Sequence, residues 1–356
     1  MRSIFRLLLF FVLLSIGNDG GIASMDELHI AALVRDLESS DLEVCCLAAQ
    51  GLRDLGLLKE LGPAAQSVVP PLIRAMAHPN ERVRYYAASA LGGVGEAAKP
   101  AIPSLHAMLL NPHENLDVRH MAATGLRGIG SSSVPVLCQL LHEPDLFVRR
   151  EAADALGYLG SDAVSAVSEL IELLQNVDSD LRSISVESLE NIGPSAIPAL
   201  ENALEHNNSY TRIYAAEALI GITPISQGAV MTATEMLGHP IAFLRGRAAQ
   251  VLRKVGPHAK SSVSVLSGIL SDEDSEVRYF AAEALMAIGS VSKSEIPALI
   301  KAYENDDPDI RFFVIAILGD IGPEAQTALP TVKMALRDTS EEVQKIAVLA
   351  LKKIQK

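Results

Sequence analysis

One phrase returns along this chain at a nearly fixed period, and that constrains its fold more than any single motif does. Asp274-Ser-Glu-Val-Arg-Tyr-Phe-Ala-Ala-Glu-Ala-Leu-Met-Ala-Ile-Gly289 and Asp145-Leu-Phe-Val-Arg-Arg-Glu-Ala-Ala-Asp-Ala-Leu-Gly-Tyr-Leu-Gly160 align without a gap. Copies close at Gly56, Gly95, Gly130, Gly160, Gly193, Thr223, Gly256, Gly289 and Gly322, with a last one near Gln355, and the final four intervals are each 33 residues. A unit this short cannot bury its apolar face alone. It must stack on its neighbours, as the units of a helical solenoid do.

Within a unit the sequence specifies two helices. The second opens at an Asp or Asn, such as Asp145, Asp178, Asn208, Asp274 or Asp307, whose side chain accepts from the free N–H groups of the first turn. It is predicted to end where glycine adopts a left-handed conformation. Between these ends Val277, Ala281, Ala284, Leu285 and Ile288 mark one buried face, and the alanines let neighbouring helices approach closely. The first helix opens at Pro71, Pro103, Pro135, Pro198, Pro297 or Pro330, where a missing N–H costs little. Composition agrees, since 49% apolar residues with no Trp, seven Tyr and eight Phe describe an ordered core of Ala, Leu, Ile and Val. A net charge of -13 opposes nucleic-acid binding, which needs clustered Lys and Arg against phosphate, and favours a cationic partner.

The run Asp-x-x-Val-Arg-x-x-Ala-Ala-x-Ala-Leu-x-x-Ile-Gly, preceded by Ile/Val/Leu-Pro, resembles HEAT repeats of the phycobilisome-lyase-like type over about residues 26–356. The resemblance implies an all-α, right-handed α-solenoid of about ten HEAT-like helix pairs. We place the units at about 25–61, 62–95, 96–130, 131–160, 161–193, 194–223, 224–256, 257–289, 290–322 and 323–356. Arrays of this kind include scaffolds, chromophore lyases and a di-iron hydroxylase, so the fold alone leaves function open.

Stacking turns each repeat position into a column. The most regular is Arg84, Arg119, Arg149, Arg182, Arg212, Arg245, Arg278 and Arg311. A cation in a helix's first turn is disfavoured by the dipole, so these arginines are expected to bond the Asp or Asn column four residues earlier, in the same or the adjoining unit, and not to bind a polyanion. The face beginning one residue beyond them is, by the HEAT resemblance, the concave face. There Tyr85, Asp154, Glu187, Glu217, Tyr279, Glu283 and Phe312 form the expected partner-binding strip for a protein or cationic peptide. The second aromatic in pairs such as Tyr85-Tyr86 and Phe312-Phe313 is expected in the core. Repeat seven breaks the pattern at Thr223, Met231 and Ile241 and holds Gly228 and Gly246 inside helices, so it is expected to be a weak joint.

Arg2, Arg6 and the apolar run Leu7–Ile16 read as a signal peptide over residues 1–24, which predicts export to a periplasmic or extracellular space and no stable membrane span after cleavage. An uncleaved segment would leave the protein membrane-anchored. Cys45, Cys46 and Cys138 are expected as buried small hydrophobes and not as a disulfide framework.

Catalytic chemistry finds little footing. The resemblance to the hydroxylase implies His-Glu pairs just after the Arg column, where this chain has Tyr85-Tyr86, His120-Met121, Arg150-Glu151 or Tyr279-Phe280. His113-Glu114 and His142-Glu143 fall in turns. Asp272-Glu273-Asp274 and Asp306-Asp307-Pro308-Asp309 read as helix caps and not calcium loops. Gly92-Gly93-Val94-Gly95 reads as a loose helix end. The expectation is a non-enzymatic scaffold with no cofactor and no bound metal; the alternatives are a relative of the di-iron hydroxylases and a bilin-handling protein.

Overall fold

The computed structural model describes residues 22–54 and 63–356, and among them there is no strand. The segment 1–21, with most of the expected signal peptide, and Gly56 lie outside the described residues.

Among the described residues ten helix pairs follow one another. The first helices are Ile22–Asp36, Pro63–Ala75, Ile102–Leu110, Val134–Leu140, Val167–Leu173, Ile197–Ala203, Gln227–Met236, Val263–Gly268, Ile296–Ala302 and Leu329–Ala335. The second helices are Leu42–Asp54, Glu81–Val94, Leu116–Ile129, Leu146–Leu159, Ser179–Ile192, Ser209–Ile222, Ala242–Val255, Ser275–Ile288, Pro308–Ile321 and Glu341–Ile354. The chain divides into two compact bodies between Leu159 and Gly160. Within each body, consecutive second helices pack directly on one another.

Local chemistry sets the helix ends. Asn80, Asn115, Asp178, Asn208, Asp274 and Asp307 each accept from N–H groups of the helix they precede, at 2.7–3.4 Å. Asp145 does the same for Phe147. At the other end Gly95, Gly130, Gly160, Gly193, Gly256, Gly289 and Gly322 all take positive φ. Gly289 is left-handed helical, at φ 63°, ψ 12°. Gly95, Gly130, Gly193, Gly256 and Gly322 pair their positive φ with ψ between -134° and -151°, a region nearly closed to other residues. That geometry corrects the expected left-handed cap. It turns the chain into a short 3₁₀ segment, such as Gly95–Ala101 or Gly322–Ala328, that delivers it to the next first helix. The prolines then stand in the first turn of that helix. Pro71 is the exception, lying inside Pro63–Ala75 beside Pro70.

The core is the repeated stripe. Val277, Ala281, Ala284, Leu285 and Ile288 are at most 1% exposed, and most equivalent positions of other repeats are buried too, with Leu159, Ile222 and Ile321 at the helix ends half-buried. Each repeat therefore hides the same apolar face against its neighbours. Gly92 is not a loose end: a Cβ on it would lie 3.2 Å from the Gly125 Cα, so the bare backbone lets two second helices meet. The stretch Pro308–Ala335, by length and composition apolar enough to cross a membrane, is two repeat helices joined by a 3₁₀ turn, half buried in the fold.

The expectation that all three cysteines are buried needs correcting. Cys45 is buried and its thiol donates to the Leu37 carbonyl, whereas Cys46 and Cys138 are half-exposed. None of the three is in a disulfide. In repeat seven the lost signals are replaced and not merely missing. Ser226 caps Gln227–Met236, and although Ile241 supplies no side-chain cap, Arg245 forks onto Asp272 of the next repeat at 2.7 and 2.8 Å.

Candidate functional site

The arginine column does structural work, with Arg119 bonding the expected cap Asp145 and several others bonding different partners. In Arg84, Arg149, Arg182, Arg245, Arg278 and Arg311, Nη1 donates to the two carbonyls five and six residues earlier, at 2.6–3.1 Å. Those are carbonyls of the turn between the helices, which helix bonding leaves unsatisfied. The other face of the guanidinium reaches forward. Arg84 forks onto Glu114, Arg245 onto Asp272 and Arg311 onto Asp338, all at 2.6–2.8 Å. These acceptors sit in the next repeat's turn just ahead of the cap. Arg119 bonds a capping acid of the next repeat, Asp145.

Bonding to Arg84 holds the Glu114 carboxyl below the usual carboxylate range, although burial opposes it. Asp338 is depressed further, since it takes the Arg311 fork, the Ser340 N–H and the Tyr303 hydroxyl at 2.7 Å while its side chain is only 4% exposed. No polyanion stripe remains.

The face one residue further on is where the expected strip lies, and its seven residues are not alike. In the first body Asp154 is exposed and lies 3.7 Å from Arg127 of the preceding repeat. Tyr85 is half-buried, edge-on to Tyr86 with centroids 5.4 Å apart, and Arg53 lies over the Tyr86 ring. Tyr85, Tyr86 and His120 line a hollow of about 430 Å³ with Glu81 and Asp117. His120 Nδ1 is 2.9 Å from Glu151 of the following repeat, a His–Glu contact made across repeats and not within one.

In the second body one acid of the strip, Glu217, is neutralised. Glu217 is 6% exposed and corrects the expectation of a free carboxylate. Lys254 donates to it at 2.7 Å, and Arg247 Nε is 3.0 Å from it while the guanidinium lies over Tyr214. Beside them Glu190 covers Gly221. Its burial raises its carboxyl, Lys254 pulls it back, and Glu217 and Glu187 push it up again. Glu187 itself is exposed.

Repeats eight and nine differ. Tyr279, Phe280, Phe312 and Phe313 are all half-exposed. Tyr279 stands edge-on to Phe280 and to Phe313, both at 5.7 Å, and Phe312 to Phe313 at 5.8 Å, so four rings form one connected group across two repeats. The expectation that the second aromatic is core therefore holds for Tyr214, at 1% exposed, and fails for Tyr86, Phe280 and Phe313. The Tyr279 hydroxyl donates to Glu283 at 3.3 Å, and that negative neighbour is the main reason its phenol is raised. Arg253 approaches Glu283 only to 3.7 Å. The structure thus joins Tyr279, Glu283 and Phe312 in one patch. Sequence reasoning missed Phe243, Arg247 and Phe280; the glycine at Gly246, in the column that holds Tyr85 and Tyr279 elsewhere, was the signal.

No three His, Cys, Asp or Glu side chains converge among the described residues. His113 and His142 stay in turns, and Glu114 is held by Arg84.

Family models for HEAT repeats match residues 102–190, 167–253, 197–278, 232–311 and 296–356, and a second HEAT-repeat model matches 68–98. The chain belongs to the HEAT-repeat family. Its fold is accordingly an all-α HEAT solenoid. No curated protein matches it. Among solved structures it is similar to the karyopherin Kap121p bound to the extreme C-terminus of the protein phosphatase Cdc14p, at 12% identity and TM-score 0.65, covering 91% of this chain and 41% of that one. Kap121p bound to Nup53p gives 13% identity and TM-score 0.66 over the same shares. An engineered protein is 25% identical over 92% of this chain and 99% of its own, at TM-score 0.45. The HEAT chain thus spans about two fifths of the karyopherin's length, and at such identity the likeness is one of fold.

Proposed function

We propose that this HEAT protein is an exported, non-enzymatic scaffold whose second-helix face binds a protein or peptide. The observation that carries this reading is the connected group Tyr279, Phe280, Phe312 and Phe313, half-exposed beside the Glu283 carboxylate. Aromatic rings that are rigid and only partly covered are what protein interfaces use as anchors, and a neighbouring acid selects for Lys or Arg on the partner. The karyopherin of similar fold is itself a peptide- and protein-bound solenoid, which supports the class of partner. The net charge of -13 supports a cationic one and opposes nucleic acid. Export rests on the Leu7–Ile16 run behind Arg2 and Arg6, and the phycobilisome-lyase-like subtype on the repeat phrase itself.

The test is quantitative cross-linked capture from native extract by the protein and by a Tyr279→Ala, Glu283→Lys, Phe312→Ala variant of equal helicity. A protein captured by the first and lost by the second supports the reading. Identical captured sets contradict it, and stoichiometric iron or a visible bilin band in the purified protein would favour an enzyme or chromophore carrier.

A further inference from the structure

Gly246 has no structural need to be glycine. It sits inside the helix Ala242–Val255, where glycine is unfavourable relative to alanine, and it does not take positive φ. A Cβ on it would meet Phe280 at 3.5 Å and Val277 at 3.9 Å, which is ordinary contact. Gly228 and Gly319 are different: a Cβ there would press to 2.9 Å against Leu204 and Ala350. What the missing side chain at Gly246 leaves is space. A hollow of about 170 Å³ between repeats seven and eight is lined by Gly246, Phe243 and Phe280, with Asp274, Glu276 and Arg247 at the same opening. A cavity of about 150 Å³ is enough to admit benzene.

The charges around it are unequal in their freedom. Arg247 is already committed, 3.0 Å from Glu217 and over Tyr214. Glu276 is exposed in the first turn of its helix, and Asp274 spends one oxygen capping it. Phe243 is 48% exposed although it stacks on Tyr210. An apolar floor beside the exposed Glu276 carboxylate and the second oxygen of Asp274 fits an apolar side chain with a basic neighbour.

We infer that this hollow is an anchor subsite for a partner peptide, taking one apolar side chain of leucine to phenylalanine size whose sequence neighbour is Lys or Arg. The inference rests on the scaffold reading above and adds to it a specificity-setting position, Gly246, outside the Tyr279–Phe312 patch.

The test pans a phage-displayed random peptide library on the whole protein and measures the enriched peptides against variants. Enriched peptides are expected to pair Leu, Met or Phe with Lys or Arg. They are expected to bind Gly246→Leu, which fills the hollow, about tenfold or more weakly, and Gly246→Ala, which leaves most of it open, nearly as well as the parent. Changing the peptide's apolar residue to Ser should cost the parent protein as much and the Gly246→Leu variant little, because the two changes remove one contact. Circular dichroism and melting of both variants establish that they are folded. Peptides that lose affinity for Tyr279→Ala but bind Gly246→Leu unchanged would overturn the subsite and leave the scaffold reading standing. Enrichment no greater than on an unrelated protein would overturn both.

Discussion

Repeats six and seven carry the same columns as repeats eight and nine, yet the two pairs use them in opposite ways. In the former, the strip position holds Glu217, buried and closed off by Lys254 and Arg247, with Tyr214 beneath. In the latter, Glu283 keeps a distant Arg253 and a Tyr279 hydroxyl, and four rings stay half-exposed. The difference teaches that a repeat column has no fixed meaning. Glu217 is a structural bolt because the adjoining repeat supplies Lys254, nine residues beyond its arginine column, whereas the repeat adjoining Glu283 has Asp320 at that position and supplies no cation there.

The comparison breaks most readily at the seam common to both regions. Arg311→Ala leaves Asp338 buried without its fork, and the loss expected is about 3–5 kcal/mol in denaturant melts. Arg212→Ala, whose partner Glu235 is 69% exposed, should lose under about 1 kcal/mol from that pair. Next in size, a Tyr279→Ala, Phe312→Ala pair should weaken partner binding by about 30-fold or more, near 2 kcal/mol in titration calorimetry. Glu217→Gln is expected to reverse that pattern, costing about 1–2 kcal/mol of stability and leaving affinity unchanged, since Lys254 is half-solvated and loses only part of its compensation. A loss of affinity with Glu217→Gln would erase the contrast between the two regions.

Gly246→Ala sharpens the reading of repeat seven. With only ordinary contacts around the new Cβ, the helix should gain about 0.5–1 kcal/mol, seen as a higher melting temperature. If hydrogen exchange across 224–256 matches that of its neighbours, Ser226 and the Arg245–Asp272 fork have fully replaced the lost signals and no joint exists. The smallest effect concerns Glu190. Its folded carboxyl is raised above the ordinary 4.5, so the ionised form is disfavoured in the native state at neutral pH. As pH falls through the raised value the native state takes up a proton before the unfolded chain does, and stability is gained. Glu190→Gln should therefore stabilise the protein near pH 7, with the gain vanishing near pH 4. Asp338 runs the other way, its stabilisation being lost as acid protonates it.

The helix pairs, caps and closing glycines were legible because they are local: Asn208 or Asp274 bonds N–H groups two or three residues on, and the apolar stripe repeats within one helix. The arginine partners were less so, since Arg84 reaches 30 residues ahead, Arg119 26 and Arg311 27. A register that varies between repeats hides which turn residue will meet the guanidinium. The same limit explains the strip. Tyr279, Glu283 and Phe312 could be placed on one face by helical spacing, but that Lys254 would close Glu217 and that Gly246 would open a hollow depends on the neighbouring repeat's side chains.

Site-specific photo-crosslinking tests the central claim most directly. A benzophenone-bearing residue is placed either at Tyr279, in the aromatic patch, or at Met334, 66% exposed on the first helix Leu329–Ala335. After irradiation in native extract, the account predicts a discrete protein adduct from position 279 that is absent from position 334. Adducts of equal yield from both positions, or from 334 alone, would contradict it.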